Sequence, residues 1–314
     1  MMKKFFTIIF LLCASVAMSA ADGDIYFSME TFRSGTTTLP YRRAMINGDP
    51  TGVIKPALVI YLHGGSSKGD DNVKQMQEPG IDSISNYIES HGIPAIFLVP
   101  QCPATGSWGG QMLEVVKALL ESYIDDGVVD ENKVYAFGGS MGGTGTWTLT
   151  SMYPELFAAV MPVAGSTNKS NAEAIAHTPV YTVMGLADNL MKIDDVRTFL
   201  DEVLSLGGEF RFDTEEGWSH EMTCIQSYTT QRLDWVFSHV RNGESSVSSV
   251  VQNDKASEAV WYTIDGRRIP SSYNKGLYII RGKKGFKMIV IRCVYGKNID
   301  KTDKKVMNCL WITE

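Results

Sequence analysis

A serine lies among glycines in the segment AFGGSMGGTG, residues 136–145. Ser140 has Gly138 two residues before it and Gly142 two residues after it, which gives the pattern G-x-S-x-G. Small residues are needed there when a strand reverses sharply into a helix and presents the serine hydroxyl outward. The pattern predicts an exposed nucleophile, against the alternative of a flexible glycine loop. Gly143 and Gly145 are interpreted as permissive residues at a helix start.

A serine hydroxyl is a weak nucleophile unless a base accepts its proton and an acid orients that base. Asp188 follows the apolar segment VYTVMG, and His220 follows EFRFD in a predicted loop before the last helix. This chain order predicts Ser140, Asp188 and His220 as a catalytic triad. Asp194 and Asp195 are rival acids, but they open a predicted helix, where carboxylates stabilise the N-terminus.

The other four histidines are interpreted as non-catalytic. His63 ends a predicted strand ahead of the serine and is expected to support the loop that follows it. His91 and His177 are expected in ordinary loops, and His239 late in a helix as a surface or packing residue.

Acyl transfer also needs N–H donors for the charge that develops on the carbonyl oxygen. The backbone N–H groups of Met141 and Gly65 are the predicted oxyanion hole, because one follows the nucleophile and the other lies in an unobstructed loop. Gln101, Trp108 and Trp218 are predicted to border the substrate pocket together with Met141. A phosphate-binding loop is excluded, since the segment lacks both the P-loop lysine and the G-x-G-x-x-G spacing.

Short apolar segments alternate with helical patterns between about residues 54 and 240. This alternation predicts a mostly parallel sheet with helices on both faces. An antiparallel lead-in is expected from DIYFSME and YRRAMI. The buried strands are predicted at 57–62, 95–99, 133–137, 158–163 and 180–185, and a helix is predicted from Gln111.

Four segments carry a family resemblance: VIYLHGGSSKGDDN, FLVPQCP, VDENKVYAFGGSMGGTGTW and YPELFAAVMPVAG. Together they resemble secreted α/β-hydrolase esterases of the polyhydroxybutyrate depolymerase-like, feruloyl and acetylxylan esterase group, some of which are described as predicted peptidases. The resemblance covers roughly residues 54–240 and implies an α/β-hydrolase fold, an open site, and Ser140, Asp188 and His220 as nucleophile, acid and base. The catalytic domain is predicted to span residues 21–242. The chain departs from many relatives around WSHEMTC, where Trp218 precedes His220 and Cys224 follows it. The resemblance therefore does not imply which residues form the rim of the acyl pocket.

Composition and charge limit the partners and the cofactors. Hydrophobic residues make up 44% of the 314 residues, charged residues 20%, and the net charge is −6, which argues against nucleic-acid binding. The cysteine spacing matches no zinc site, and neither a metal nor another cofactor is expected. After Cys13, the chain has Cys102, Cys224, Cys293 and Cys309, for which three disulfide pairings are possible.

The N-terminal twenty residues read as a secretory signal peptide. MMKK is a cationic start, FFTIIFLLCASVAM is a short apolar stretch, and small residues follow it. An uncleaved membrane anchor is the alternative, and a lipoprotein is disfavoured because Leu12 precedes Cys13. No later stretch is apolar enough to cross a membrane. The signal peptide predicts a secreted or cell-surface location.

The character of the chain changes after residue 242. Residues 243–258 have the composition of a linker, and residues 259–292 show the alternation and turns of a small β unit. WYTIDGRRIP and GLYIIRGKKGFKMIVI resemble the end of a type IX secretion sorting domain, which implies contact with secretion machinery. A β appendage without a sorting role is the alternative, and the tail 293–314 has no assigned role.

The sequence is compatible with three functions. The first is a secreted serine carboxylic-ester hydrolase that removes feruloyl or acetyl groups from plant cell-wall polysaccharide through an acyl-enzyme. The second is a serine peptidase of the same fold, and the third a non-catalytic carbohydrate-binding or surface protein. Residue types do not choose among them, because the shape of the pocket depends on loop conformation.

Overall fold

A computed structural model describes residues 25–241 and four short strands nearer the C-terminus. The chain divides into two units, Met1–Ser248 and Ser249–Glu314. The predicted signal peptide at 1–20, the linker at 243–258 and the tail at 293–314 lie outside the described residues.

One eight-stranded sheet organises the first unit, in the order β1-β2-β4-β3-β5-β6-β7-β8. β1, β2 and β4 pair antiparallel, and β4, β3 and β5 to β8 are parallel. The strands are β1 Ser28–Ser34, β2 Thr37–Ile46, β3 Ala57–Leu62, β4 Ala95–Pro100, β5 Val134–Gly139, β6 Ala159–Val163, β7 Val180–Gly185 and β8 Phe210–Glu215.

Helices cover both faces of this sheet. Residues of α2, α3 and α5 pack in one apolar cluster, and residues of α1 and α7 pack in a second cluster on the opposite face. No helix among the described residues is both long and apolar enough to cross a membrane. The helices are α1 Pro79–Ser90, α2 Gln111–Asp125, α3 Met141–Met152, α4 Ala172–Ile175, α5 Ile193–Ser205, α6 His220–Gln226 and α7 Thr230–Phe237.

The central strands are apolar throughout because both of their faces are covered. In β3 every residue is buried, and alternate side chains point to opposite faces of a strand. Leu58 and Ile60 accordingly join the cluster with α2 and α3, whereas Val59 and Tyr61 join the cluster with α1 and α7. The predicted mostly parallel sheet with helices on both faces is therefore observed.

Two elements differ from the sequence-based expectation. β5 continues past Phe137 to Gly139, because Gly138 pairs with Leu62 of β3 and Gly139 pairs with β6. His220 is the first residue of α6 rather than a loop residue. The Ser219 hydroxyl caps this helix by accepting a hydrogen bond from the N–H of Met222, at 3.3 Å.

The described strands of the second unit form a separate antiparallel sheet, in the order β10-β9-β11-β12. They lie within the segment 259–292 for which the sequence predicts a small β unit. Their bounds are β9 Val260–Tyr262, β10 Arg268–Ile269, β11 Gly276–Arg281 and β12 Lys287–Arg292.

The start of α3 is pressed against its neighbouring strands. A Cβ atom on Gly142 would overlap the carbonyl oxygen of Leu62 in β3. The interpretation of Gly143 and Gly145 as permissive is wrong, since a Cβ on Gly143 would meet the carbonyl of Val163 and one on Gly145 would meet Trp108. The glycine run is therefore a packing surface that brings α3 into backbone contact with the sheet.

We expect Gly142→Ala to lower the free energy of unfolding by about 3 kcal/mol or more, or to prevent folding, because the overlap can be relieved only by moving backbone. Gly109→Ala is the matched control, since the nearest atom to a Cβ there is the Ser107 Oγ at 3.9 Å. Urea unfolding of the two variants measures the difference. Equal stability would contradict the packing described here.

Candidate active site

Ser140 occupies the junction between β5 and α3 in a conformation that is rare for serine. Its φ is 58° and its ψ is −118°, and positive φ strains any residue that has a Cβ. The Ser140 N–H donates to the carbonyl of Val163 at 3.0 Å. With β5 on one side and the close-packed α3 on the other, the surroundings hold the side chain at the carboxyl edge of the sheet.

Three side chains, each following a different strand of the sheet, meet at this edge. The Ser140 Oγ is 2.7 Å from the His220 Nε2, and the His220 Nδ1 is 2.8 Å from the Asp188 Oδ2. The Asp188 side chain is 1% exposed and that of His220 is 15% exposed. The other carboxylate oxygen of Asp188 accepts the N–H groups of Leu190 and Met191 at 2.8 and 3.0 Å. The structure thus brings together the three residues predicted as a triad.

The hydrogen-bond partners determine where the imidazole proton lies. An ionised carboxylate only accepts hydrogen bonds, so the Nδ1 of His220 carries the proton that Asp188 accepts. The Nε2 then has a free lone pair facing the hydroxyl of Ser140, which is the tautomer that a general base for serine requires.

The loop after β3 faces the nucleophile, and its backbone is held by side chains from outside the loop. Glu78 accepts the N–H of Gly64 at 2.9 Å and the hydroxyl of Ser67 at 2.6 Å. The N–H of Gly64 is therefore occupied, and the next N–H in the loop is that of Gly65. Within residues 25–241, neither the N–H of Gly65 nor that of Met141 has an acceptor.

The buried ring of His63 holds this loop by hydrogen bonds, in the supporting role that the sequence predicts for it. It is fully buried, its Nδ1 contacts the Gly64 carbonyl at 2.7 Å, and its Nε2 accepts the N–H of Cys102 at 2.9 Å. Since an amide N–H needs a bare nitrogen as acceptor, the proton of the neutral ring lies on Nδ1. Burial lowers the pKa of His63 to about 4, because the charged form would lose solvation and the Cys102 contact.

Two residues predicted to border the substrate pocket are buried instead. Gln101 is 0% exposed, and its amide accepts the N–H of Asn72 at 2.6 Å and donates to Asp71 at 2.8 Å. Trp108 is 3% exposed and donates its indole N–H to the His63 carbonyl at 2.9 Å. Both predictions were wrong because residue type and position near a strand end do not determine the direction of a side chain.

Trp218 and Met141, also predicted to border the pocket, are partly exposed. Trp218 lies two residues before His220, and the guanidinium of Arg232 is 5.9 Å from its ring centre. Arg232 pairs with Asp213 at 2.8 Å and also with Glu215, so this network anchors the end of β8 from which the His220 segment departs. A pocket role for Trp218 and Met141 stays a prediction.

The two described cysteines are free thiols, and Cys293 and Cys309 lie outside the described residues. Cys224 borders Gly139, but burial, with Glu78 nearby, raises the pKa of its thiol to about 12. Because the thiolate is the reactive form, Cys224 does not compete with Ser140 as a nucleophile. In the same part of the chain, no group of three or more histidine, cysteine, aspartate or glutamate side chains is placed to hold a metal ion.

One family model and several solved structures are similar to this chain. The model of the prolyl oligopeptidase family, Peptidase_S9, matches residues 104–195, less than a third of the chain. No curated protein matches the sequence. A solved structure described as a thermostable esterase is 28% identical with a TM-score of 0.64, over 68% of this chain and 63% of its own length. The chain thus spans less than two thirds of that esterase.

More distant structures share the fold alone. A feruloyl esterase module from Clostridium thermocellum in complex with sinapinate is 14% identical, covers 68% of this chain and 89% of its own, and has a TM-score of 0.56. An acylaminoacyl peptidase from Pyrococcus horikoshii is 12% identical and has a TM-score of 0.53. The match covers 70% of this chain and 42% of the peptidase chain. The fold is that of the α/β hydrolases. With the Ser140 geometry, these findings support a serine hydrolase of that fold, with esterases and peptidases among its neighbours.

We expect the buried His63 to make the protein less stable in acid. Its pKa is lower in the folded chain, about 4, than the ordinary value of 6.5, so the unfolded chain binds the proton more readily. The corresponding stability, about 3 kcal/mol in total, is present above pH 6.5 and is lost as the pH falls towards 4. Urea unfolding at a series of pH values measures it.

His63→Gln provides the comparison, because an amide offers both a donor and an acceptor but does not titrate. We expect this variant to be less stable at pH 7 and to have a flatter dependence on pH between 6.5 and 4. A dependence as steep as that of the wild type would assign the acid sensitivity to other groups.

The two buried tryptophans permit a matched test of the loop support. The indole N–H of Trp147 has no partner among the described residues, whereas that of Trp108 donates to the His63 carbonyl. Trp108→Phe leaves a buried carbonyl unpaired, so we expect it to cost about 1–3 kcal/mol more than Trp147→Phe in chemical denaturation. Equal costs would mean that the indole bond contributes nothing measurable.

Proposed function

We propose that the chain is a serine carboxylic-ester hydrolase in which Ser140 is the nucleophile. The observation that carries this proposal is the continuous hydrogen-bond chain from Ser140 through His220 to Asp188, with distances of 2.7 and 2.8 Å. Such a chain couples deprotonation of the hydroxyl to its attack on a carbonyl carbon.

In the first half-reaction, Ser140 Oγ attacks the ester carbonyl and its proton moves to the Nε2 of His220. Asp188 accepts the Nδ1 proton throughout and stabilises the imidazolium that forms. The negative charge that develops on the carbonyl oxygen is stabilised by the N–H groups of Gly65 and Met141. His220 then gives its proton to the departing alcohol, which leaves the acyl group on Ser140.

In the second half-reaction, water repeats the sequence. His220 takes a proton from the water, the hydroxide attacks the acyl carbon, and the Ser140 oxygen leaves and recovers its proton. The products are the carboxylic acid and the regenerated serine. The rigid support of the Gly65 loop matters in both halves, since an oxyanion hole acts through donors that are already positioned.

Ester rather than peptide hydrolysis is favoured by the extent of the resemblances. The esterase match at 28% identity covers 68% of the chain. The peptidase family model covers residues 104–195, which include Ser140 and Asp188 but not His220. A serine peptidase is the second candidate, and that family match is the observation in its favour.

The substrate class follows from the resemblance of the sequence to feruloyl and acetylxylan esterases. We propose feruloyl or acetyl esters on plant cell-wall polysaccharide as substrates of an exported enzyme. The partly exposed nucleophile supports access by a bulky substrate. Export and sorting stay predictions from residues 1–20 and 259–292.

Purified wild-type protein is expected to hydrolyse p-nitrophenyl acetate and methyl ferulate. Ser140→Ala should lower kcat by a factor of roughly 10⁴ to 10⁶, because the covalent route is lost while binding is retained. Ser205→Ala is the matched control, since Ser205 is exposed at the end of α5 and its hydroxyl contacts only the Glu202 carbonyl.

Peptide p-nitroanilides measured alongside the esters distinguish the alternatives. Cleavage of peptides without ester hydrolysis would replace the esterase proposal by the peptidase. Full activity of Ser140→Ala would overturn the mechanism, and hydrolysis of neither class by wild type would favour a non-catalytic surface protein.

A further inference from the structure

A cleft of about 500 Å³ lies at the carboxyl edge of the parallel strands, the edge that also carries the triad. It is bounded by the β1–β2 hairpin on one side and by the loops after β3 and β4 on the other. Thr31, Thr38 and Pro40 line the hairpin side, and Gly69, Asp70 and Pro103 line the loop side. Its volume falls within the range of small-molecule binding sites.

The strand order gives the lateral offset between this cleft and Ser140. Pro103 follows β4, two strands away from β5, and Thr38 and Pro40 lie on β2, three strands away. At the ordinary strand spacing these offsets are roughly 10 and 14 Å. Gly69 follows Gly65 by four residues, a separation of at most about 14 Å. An oligosaccharide of a few residues is long enough to span such lateral offsets.

The walls of the cleft are fixed by buried hydrogen bonds. Asn72 as a whole is 8% exposed, and its side-chain amide donates to the backbone carbonyls of Glu30 in β1 and Tyr41 in β2. Gln101 accepts the Asn72 N–H and donates to Asp71. These two amides tie the hairpin to both loops, so the cleft is formed before any ligand arrives, which lowers the entropic cost of binding.

The lining suits an uncharged ligand with many hydroxyl groups. Thr31 pairs with Pro40 across the two strands, and Thr38 precedes Pro40 by two residues, so these three share one face of the hairpin. The side chains of Thr31, Thr38 and Asp70 form no hydrogen bond or ion pair with residues 25–241, and all three are exposed. Two hydroxyls and the Asp70 carboxylate are thus free to bind, beside the apolar side chains of Met29, Pro40 and Pro103. Glu30 also lines the cleft, where its carboxylate accepts the Ser28 hydroxyl at 2.8 Å.

We propose that this cleft is a sugar-binding subsite for the alcohol portion of the substrate. In this assignment Asp70 accepts hydroxyl groups of a glycosyl residue near the esterified one, and Thr38 supplies a further donor and acceptor. The proposal rests on the proposed ester hydrolysis for its place in catalysis, but the binding of a free oligosaccharide does not depend on it.

The kinetic test compares an ester that carries the sugar with one that does not. For Asp70→Ala and Thr38→Val, we expect kcat/KM on feruloylated xylotetraose to fall about five- to tenfold, the effect of one lost hydrogen bond, with methyl ferulate within twofold of wild type. Asp126→Ala, which removes a carboxylate at the C-terminal end of α2 on the opposite edge of the sheet, is the control and should leave both substrates unchanged.

Asp70→Asn separates hydrogen bonding from charge. If a sugar binds, Asn retains an acceptor and this variant loses less than Asp70→Ala. Equal loss in the two variants would show that a hydrogen-bond acceptor at this position does not suffice, and it would overturn the proposal. Equal impairment on feruloylated xylotetraose and methyl ferulate, or no impairment on either, would overturn it as well.

Direct binding keeps the test independent of turnover. Xylotetraose titrated into Ser140→Ala by calorimetry should bind, and the affinity should fall when Asp70→Ala is added. Absence of binding would overturn the subsite. If the wild type hydrolyses no ester, the proposed function fails, and this titration still decides whether the cleft binds sugar.

Discussion

The backbone contact between Gly142 and the end of β3 is the constraint on which the site depends. Without a Cβ, the start of α3 lies directly against the carbonyl of Leu62, so the nucleophile and the loop after β3 belong to one packed unit. The positive φ of Ser140 costs of order 1–3 kcal/mol, and such strain persists only where the surrounding structure over-determines it. The elbow persists because β5, β6 and α3 enclose it.

Directly after this contact, hydrogen bonds from polar groups hold the loop that follows β3. Leu62 is followed by His63, whose carbonyl, Nδ1 and Nε2 are all engaged by neighbouring groups. Those bonds require a neutral ring, and burial keeps the ring neutral. The loop that ends at Gly65 is therefore held by uncharged hydrogen bonds from below and by Glu78 from the side.

Much of this arrangement was predictable from local sequence, and the failures have a common cause. The apolar strands and the order of Ser140, Asp188 and His220 follow from chain patterning, because strand ends of a parallel sheet converge at one edge. The prediction that Gln101 and Trp108 border the substrate pocket was wrong, because the direction of a side chain depends on tertiary packing. The short helix α6 was missed because seven residues carry too little periodicity, although Ser219 is a recognisable cap.

The buried side-chain amides of Gln101 and Asn72 have a structural role that the predicted pocket role of Gln101 did not include. An amide in a protein interior is costly unless its hydrogen bonds are satisfied, and these two are satisfied by backbone of β1, β2 and the loop after β3. Apolar residues would fill the same space but would not fix the register between an edge hairpin and a catalytic loop. The polar groups thus give the edge of the sheet a defined shape beside the triad. Gln101, which the sequence predicts as a substrate contact, instead fixes the backbone of the loop after β3 through its bonds to Asn72 and Asp71.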